Sequence, residues 1–211
     1  NKIILTLQQN SSSDDKRTKF SSAVCVTALI QLFPFDDYVV SYQKILENLI
    51  TVGGYKPMIK IGAKAISRFA RINGSNRNEF LQELLEKNIL GLLSNDSETR
   101  YTSGVVCSEL AVSYPEGFLL MKKPLGEYLL ESMKKSDEVV GEMMINIVKE
   151  LFRSESAALG FKMLNEMHPY LLKNALELFN QESKNSIINK LLYVMLKIRP
   201  YISKEDAERM I

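Results

Sequence analysis

A helical pattern of apolar and polar positions returns along this chain about every forty residues. It covers residues 55–70, 96–111 and 137–152, and each copy opens with a polar or turn-forming start. Leu110 and Leu151, which close two of the copies, are 41 positions apart. A period of this length is typical of arrays built from helical repeats. Because one such unit cannot bury its apolar face alone, the pattern predicts copies that stack on one another.

Turn residues divide the chain into further predicted helices. Pro34 ends a helix that starts at Thr18, and Asp36 and Asp37 are predicted to cap the next one, which ends before Gly53. Later helices are predicted at residues 57–70, 79–85, 89–93, 116–120, 125–133, 139–152, 157–167, 170–179 and 186–198. No alternation of apolar and polar residues is long enough to indicate a sheet. The predicted fold class is therefore all-α.

Two further predictions concern the apolar face of the first helix and a break near residue 87. The first helix is predicted to have an apolar face formed by Phe20, Val24, Ala28 and Phe33 and widened by Val26, Leu29 and Ile30. Around Lys87 and Asn88 the pattern loses its period, which predicts a break between two helices.

The first seventeen residues differ from the rest of the chain. Residues 10–17 form a polar run without periodicity. We therefore predict that residues 1–17 are a polar N-terminal segment or linker and that residues 18–211 are a helical repeat domain. The chain starts without Met and stops within a predicted helix, so we expect it to be a fragment of a longer chain.

The order of elements resembles the armadillo/HEAT superfamily over about residues 18–198. A medium helix, a short helix ending at Leu92 and Leu93, a polar turn and a longer helix follow one another, as in the armadillo unit. The resemblance implies a right-handed superhelical solenoid with a long surface for partners. The chain lacks Trp, and its matched long helices carry Lys64, Val105 and Asn146 at one position, unlike armadillo arrays that bind extended peptides.

Composition and cysteine use narrow the class of protein. With 45% hydrophobic and 25% charged residues, the chain has the composition of an ordinary globular protein. No apolar run approaches the roughly 20 residues that cross a bilayer. Cys25 and Cys107 lie in apolar phrases and are predicted to be buried thiols. This indicates a reducing compartment, the cytoplasm or the nucleus.

The sequence contains few of the residues and motifs that are typical of catalytic or metal-binding sites. His168 is the one histidine, and no Ser or Cys motif points to it. Two Cys and one His cannot build a zinc site of the usual kind, and no phosphate-binding Gly-rich motif is present. We therefore predict a protein that is not an enzyme and needs no metal or cofactor. The alternative is an enzyme whose carboxylates converge only in three dimensions.

The clearest candidate for a binding site is a row of cations on one predicted helix, which we call the basic stripe. Its members follow a spacing of four residues and then three: Lys56, Lys60, Lys64, Arg68 and Arg71. Like charges at this spacing destabilise an isolated helix, so something is expected to offset them. One explanation is acidic neighbours on adjacent helices, such as Glu47 or Glu109. The other is an acidic or phosphorylated segment of a partner.

The leading functional hypothesis is a scaffold or adaptor that binds another protein through the solenoid surface and supports assembly of a larger complex. The alternative is a helical repeat that binds nucleic acid or phosphate through the basic stripe. The net charge of +2, from 27 basic and 25 acidic residues, favours neither partner.

Overall fold

The structure, a computed structural model, describes residues 2–34, 36–50, 55–72 and 75–120, together with six further positions: Met143, Asn146, Ile147, Glu150, Leu151 and Lys204. Within this part, seven α-helices and a short 3-10 helix at Asp36–Tyr38 pack together, and no strand occurs. The α-helices are α1 (Lys2–Ser11), α2 (Lys16–Leu32), α3 (Val39–Leu49), α4 (Lys56–Phe69), α5 (Ser75–Gly91), α6 (Ser97–Ser113) and α7 (Pro115–Leu119). The all-α prediction is confirmed for these residues. The helices predicted at residues 125–133, 157–167, 170–179 and 186–198, and most of residues 139–152, lie outside them.

The contacts between helices form two rows. In one row α2 packs on α4 and α4 packs on α6, while in the other α1, α3, α5 and α7 follow one another. Helices that are successive in the chain also pack across the rows, for example α1 on α2 and α5 on α6. One apolar core is shared between the rows, with Tyr42, Leu46 and Leu85 from one row and Val26, Phe69 and Leu110 from the other.

α2 and α6 begin and end 81 positions apart and share the same N-terminal cap. The Asp15 carboxylate accepts hydrogen bonds from the backbone N–H (2.9 Å) and hydroxyl (2.6 Å) of Thr18. The Asp96 carboxylate accepts the same pair from Thr99, at 2.8 and 2.5 Å. Each cap satisfies donors that the first turn of a helix leaves free. A helix start predicted at Asp96 is thus confirmed, and its match at Asp15 lies about two periods earlier.

Burial repeats with the same period. Three positions spaced by 41 residues are fully buried: Ala65, Val106 and Ile147. Three more positions with the same spacing are also fully buried: Phe69, Leu110 and Leu151. Ile147 and Leu151 belong to the core although few residues around them are described. The period seen in the sequence is therefore also present in the packing.

The N-terminal residues form a helix where the sequence predicts a polar segment or linker. Leu7 of α1 is buried in the shared core, and Ile4 packs against it. The Asn48 amide of α3 donates to the hydroxyls of Ser11 (3.1 Å) and Ser12 (2.9 Å). These bonds pair polar groups at the end of α1, which is why a polar sequence is compatible with packing here. Residues 2–11 are therefore a helix packed on later helices, and the division of the chain after residue 17 stays a prediction.

The predicted apolar face of α2 is confirmed only in part. Val26 and Ile30 are buried, as is Ala23, whereas Val24 and Ala28 are exposed. Apolar residues surround much of this helix, so its pattern does not specify which side faces the core.

The start of α3 differs from the predicted capping as well. Asp37 belongs to the 3-10 helix, and the N-cap of α3 is Tyr38, whose side chain makes no capping hydrogen bond. Gly53 and Gly54, the predicted end of this helix, lie outside the described residues, and α3 itself ends at Leu49.

α5 is continuous through the break predicted near Lys87 and Asn88. The Asn88 amide donates to the carbonyl of Leu84 (2.7 Å) one turn earlier, so this residue is paired within the helix. Near the end of α5, a Cβ on Gly91 would lie 3.1 Å from Cβ of Ser103 and closer still to its hydroxyl. The missing side chain thus permits the close approach of α5 to α6.

Tyr42 ties α3 to the end of α2. Its ring is buried, and its hydroxyl lies 3.2 Å from the carbonyl oxygen of Phe33 and 3.4 Å from that of Leu29. We expect Tyr42→Phe to lower the free energy of unfolding by about 1 kcal/mol, because these carbonyls lose a donor. Urea unfolding measures the change, with Tyr55→Phe at an exposed position as the control. If both substitutions lower the free energy of unfolding equally, the hydrogen bond from the Tyr42 hydroxyl does not contribute to stability.

The two aspartate caps make the free energy of unfolding depend on pH. Hydrogen bonds from Thr18 and Thr99 hold the pKa of Asp15 and Asp96 below their ordinary value of 3.8. Because these pKa values are lowered on folding, the caps contribute fully above pH 3.8, and the contribution is lost as pH falls through the lowered values.

We therefore expect the Asp15→Asn/Asp96→Asn variant to lose less stability than the wild type between about pH 5 and about pH 2. Urea midpoints measured across this range give the comparison. Parallel losses in the two proteins would show that these caps do not contribute to acid unfolding.

Candidate functional site

All five predicted members of the basic stripe are exposed along one edge of α4 and just past its end. The opposite side of the helix is buried, as predicted, through Ile59, Ala63, Ile66 and Ala70. Pro57 lies in the first turn, where its missing N–H costs no helical hydrogen bond. The spacing of four residues therefore separates a fully charged edge from a fully apolar one.

Two members of the stripe contact neighbouring helices. The Lys56 ammonium lies 4.8 Å from the centre of the Tyr101 ring on α6, a cation–π contact. The Arg68 guanidinium donates to the carbonyl of Thr27 on α2, at 3.1 Å. The stripe is thus held from both sides within its row of helices.

A groove of about 450 Å³ follows the stripe between α2, α4 and α6, and we call it the α4 groove. Its lining residues come from all three helices: Val24, Thr27 and Ala28 from α2, Ile61, Lys64, Ser67, Arg68 and Arg71 from α4, and Glu109 from α6. The α2 side of the groove therefore carries no charge, and the α4 side carries three cations.

Glu109 is the acidic neighbour of the stripe. Its partial burial raises the pKa of this carboxyl, while Lys64, a hydrogen bond from the Ser67 hydroxyl, and Arg71 act to lower it. Of the two carboxylates proposed from the sequence, Glu109 is confirmed as a neighbour, and Glu47 lies exposed on α3 in the other row. Among the described residues that line the groove, three cations face this one carboxylate.

The cysteines differ from each other. Both are free, but Cys107 is buried and Cys25 is exposed, so the prediction of a buried thiol is wrong for Cys25. Burial raises the pKa of the Cys107 thiol far above its ordinary value, which makes a reactive thiolate unfavourable there.

Other chemistry has little support in the described part of the chain. There, no cluster of three or more His, Cys, Asp or Glu side chains is arranged to hold a metal ion. His168 lies outside it. No helix in the described ranges is long and apolar enough to cross a membrane.

Sequence patterns identified the cations but not the groove. The pattern places Val24 and Ala28 on the apolar face of their helix, and it contains no signal that singles out Ser67. Their role depends on which helices pack beside α4, and this is set by tertiary contacts rather than by local periodicity.

Comparison with known proteins adds no relative: no family model matches the chain, and neither the curated proteins nor the solved structures that were searched give a match. A functional assignment therefore depends on the geometry of the α4 groove.

Proposed function

We propose that this chain is a non-enzymatic scaffold, built as a right-handed superhelical solenoid of armadillo/HEAT-like repeats. The matched caps of α2 and α6 and the repeated burial at a spacing of 41 residues support this architecture. Because α5 is continuous, each period between α3 and α6 contains two helices, which favours the HEAT-like form. Such arrays present extended surfaces to other proteins.

The observation that carries the function is the exposed basic stripe beside the α4 groove. Three cations on the groove face a single carboxylate there, and Lys60 adds a further exposed cation on the same edge. Complementary charge gives an interface its specificity and speeds association. We infer that the partner is a protein that presents an acidic or phosphorylated segment, and that the scaffold holds it within a larger complex in the cytoplasm or nucleus.

Binding of nucleic acid is the second candidate, because a row of exposed cations also suits a phosphate backbone. Single-stranded nucleic acid is usually bound with aromatic side chains on which bases stack. None of the described residues that line the α4 groove is aromatic. A steep loss of binding with added salt would favour this second candidate.

Affinity capture from cell lysate tests the proposal with a matched pair of variants. Lys60→Glu/Lys64→Glu reverses two charges of the stripe, and Lys44→Glu/Lys87→Glu makes the same charge change at exposed positions of α3 and α5. We expect a protein partner that survives nuclease treatment, is lost in the first variant and is retained in the second.

Capture that both variants retain would contradict binding at the stripe. Capture that nuclease abolishes would favour the nucleic-acid candidate instead. Thermal unfolding of the three proteins, followed by circular dichroism, checks that the substitutions leave the fold intact.

A further inference from the structure

The cationic side of the α4 groove already contains an acidic group of the chain itself. Glu109 lines the groove together with Lys64, Ser67 and Arg71. Ser67 is 8% exposed, so this part of the lining lies at the base of the groove rather than in open solvent. The Glu109 carboxylate therefore lies among the same cations that an acidic group of a partner would approach.

We propose that Glu109 is a built-in competitor of the partner, and that an acidic peptide segment binds the α4 groove by taking its place beside Lys64 and Arg71. This inference rests on the proposed function and adds the regulation of its site. The carboxylate balances part of the positive charge while the groove is empty. A partner then binds only if its own acidic group, with further contacts, outcompetes Glu109.

The apolar side of the groove favours a peptide as the occupant. Val24, Ala28 and Ile61 lie along the same depression as the cations. A volume of about 450 Å³ is within the range of sites that hold small ligands or a few side chains. A segment with one apolar side chain flanked by carboxylates matches both sides at once, whereas a phosphate backbone leaves the apolar side unused.

Fluorescence anisotropy with a labelled peptide tests the inference directly. The probe is a synthetic peptide with one central Leu flanked by Glu residues, and a second probe replaces each Glu with Lys. We expect Glu109→Gln to bind the acidic probe about 3- to 10-fold more tightly than the wild type, because two nearby cations lose an internal partner. Glu47→Gln, which removes an equal charge from α3, is expected to bind like the wild type.

An unchanged or weaker affinity of Glu109→Gln would overturn the competitor role. If Lys60→Glu/Lys64→Glu still lowers the affinity for the acidic probe in that case, the proposed function stands and only this inference fails. If the stripe variant binds the probe as well as the wild type, the proposed function itself is contradicted. A labelled single-stranded oligonucleotide that binds more tightly than the acidic probe would overturn the choice of a peptide.

Discussion

Replacing Phe69 with Ala is expected to lower the free energy of unfolding by about 3–5 kcal/mol, the cost of truncating a fully buried aromatic side chain. Phe69 has no exposed surface, and its ring packs edge-to-face on Phe80 of α5, with centroids 5.6 Å apart. It also occupies the position that Leu110 and Leu151 fill one and two periods later. A loss of this size is a large part of the total stability of an ordinary domain, which is about 5–15 kcal/mol.

Urea unfolding followed by circular dichroism measures this loss. Val112→Ala is the control, because Val112 is 52% exposed on α6 and its truncation leaves no cavity. We expect the control to change stability by less than about 0.5 kcal/mol, as exposed positions usually do. A loss below about 1 kcal/mol for Phe69→Ala would show that the two rows do not share the core described above.

Reversing two charges in the α4 groove should have the largest effect on binding. We expect Lys64→Glu/Arg68→Glu to weaken binding of the acidic peptide by about 10- to 100-fold. An exposed ion pair contributes about 0.2–1 kcal/mol, and charge reversal replaces each attraction with a repulsion of similar size, so two reversals give a factor in this range. Both side chains are exposed, but Arg68 also donates to the Thr27 carbonyl on α2, so thermal unfolding of the variant checks that the fold is intact.

The same anisotropy titration measures this effect, with Lys44→Glu/Lys87→Glu as the control of equal net charge. The control should bind within a few-fold of the wild type, since its charges lie on helices of the other row. Equal losses in the two variants would mean that the peptide senses net charge rather than the groove.

The sequence was sufficient wherever local chemistry decides the structure. The cap at Asp96, the first turn at Pro57 and the alternation of charged and apolar edges on α4 are all encoded within a few residues. The exposure of Arg68 follows from the same short-range pattern. The period of about forty residues likewise relates Leu110 to Leu151, and both side chains are fully buried.

Longer-range features were not predictable in this way. α1 is a helix because Leu7 finds a place in a core formed by later helices. Val24 lines the groove because α2 packs on α4 with a different side of its apolar surface. In both cases the local sequence preference is weak, and tertiary packing decides which residues are buried.

Amide ¹H–¹⁵N spectra of the wild-type chain, recorded while the acidic peptide is added, locate the binding site residue by residue. We predict that the largest shifts cluster on residues 24–28, on residues 61–71 and around Glu109. Shifts that cluster around Lys44 and Lys87, or no shifts at all, would contradict an acidic segment bound in the α4 groove.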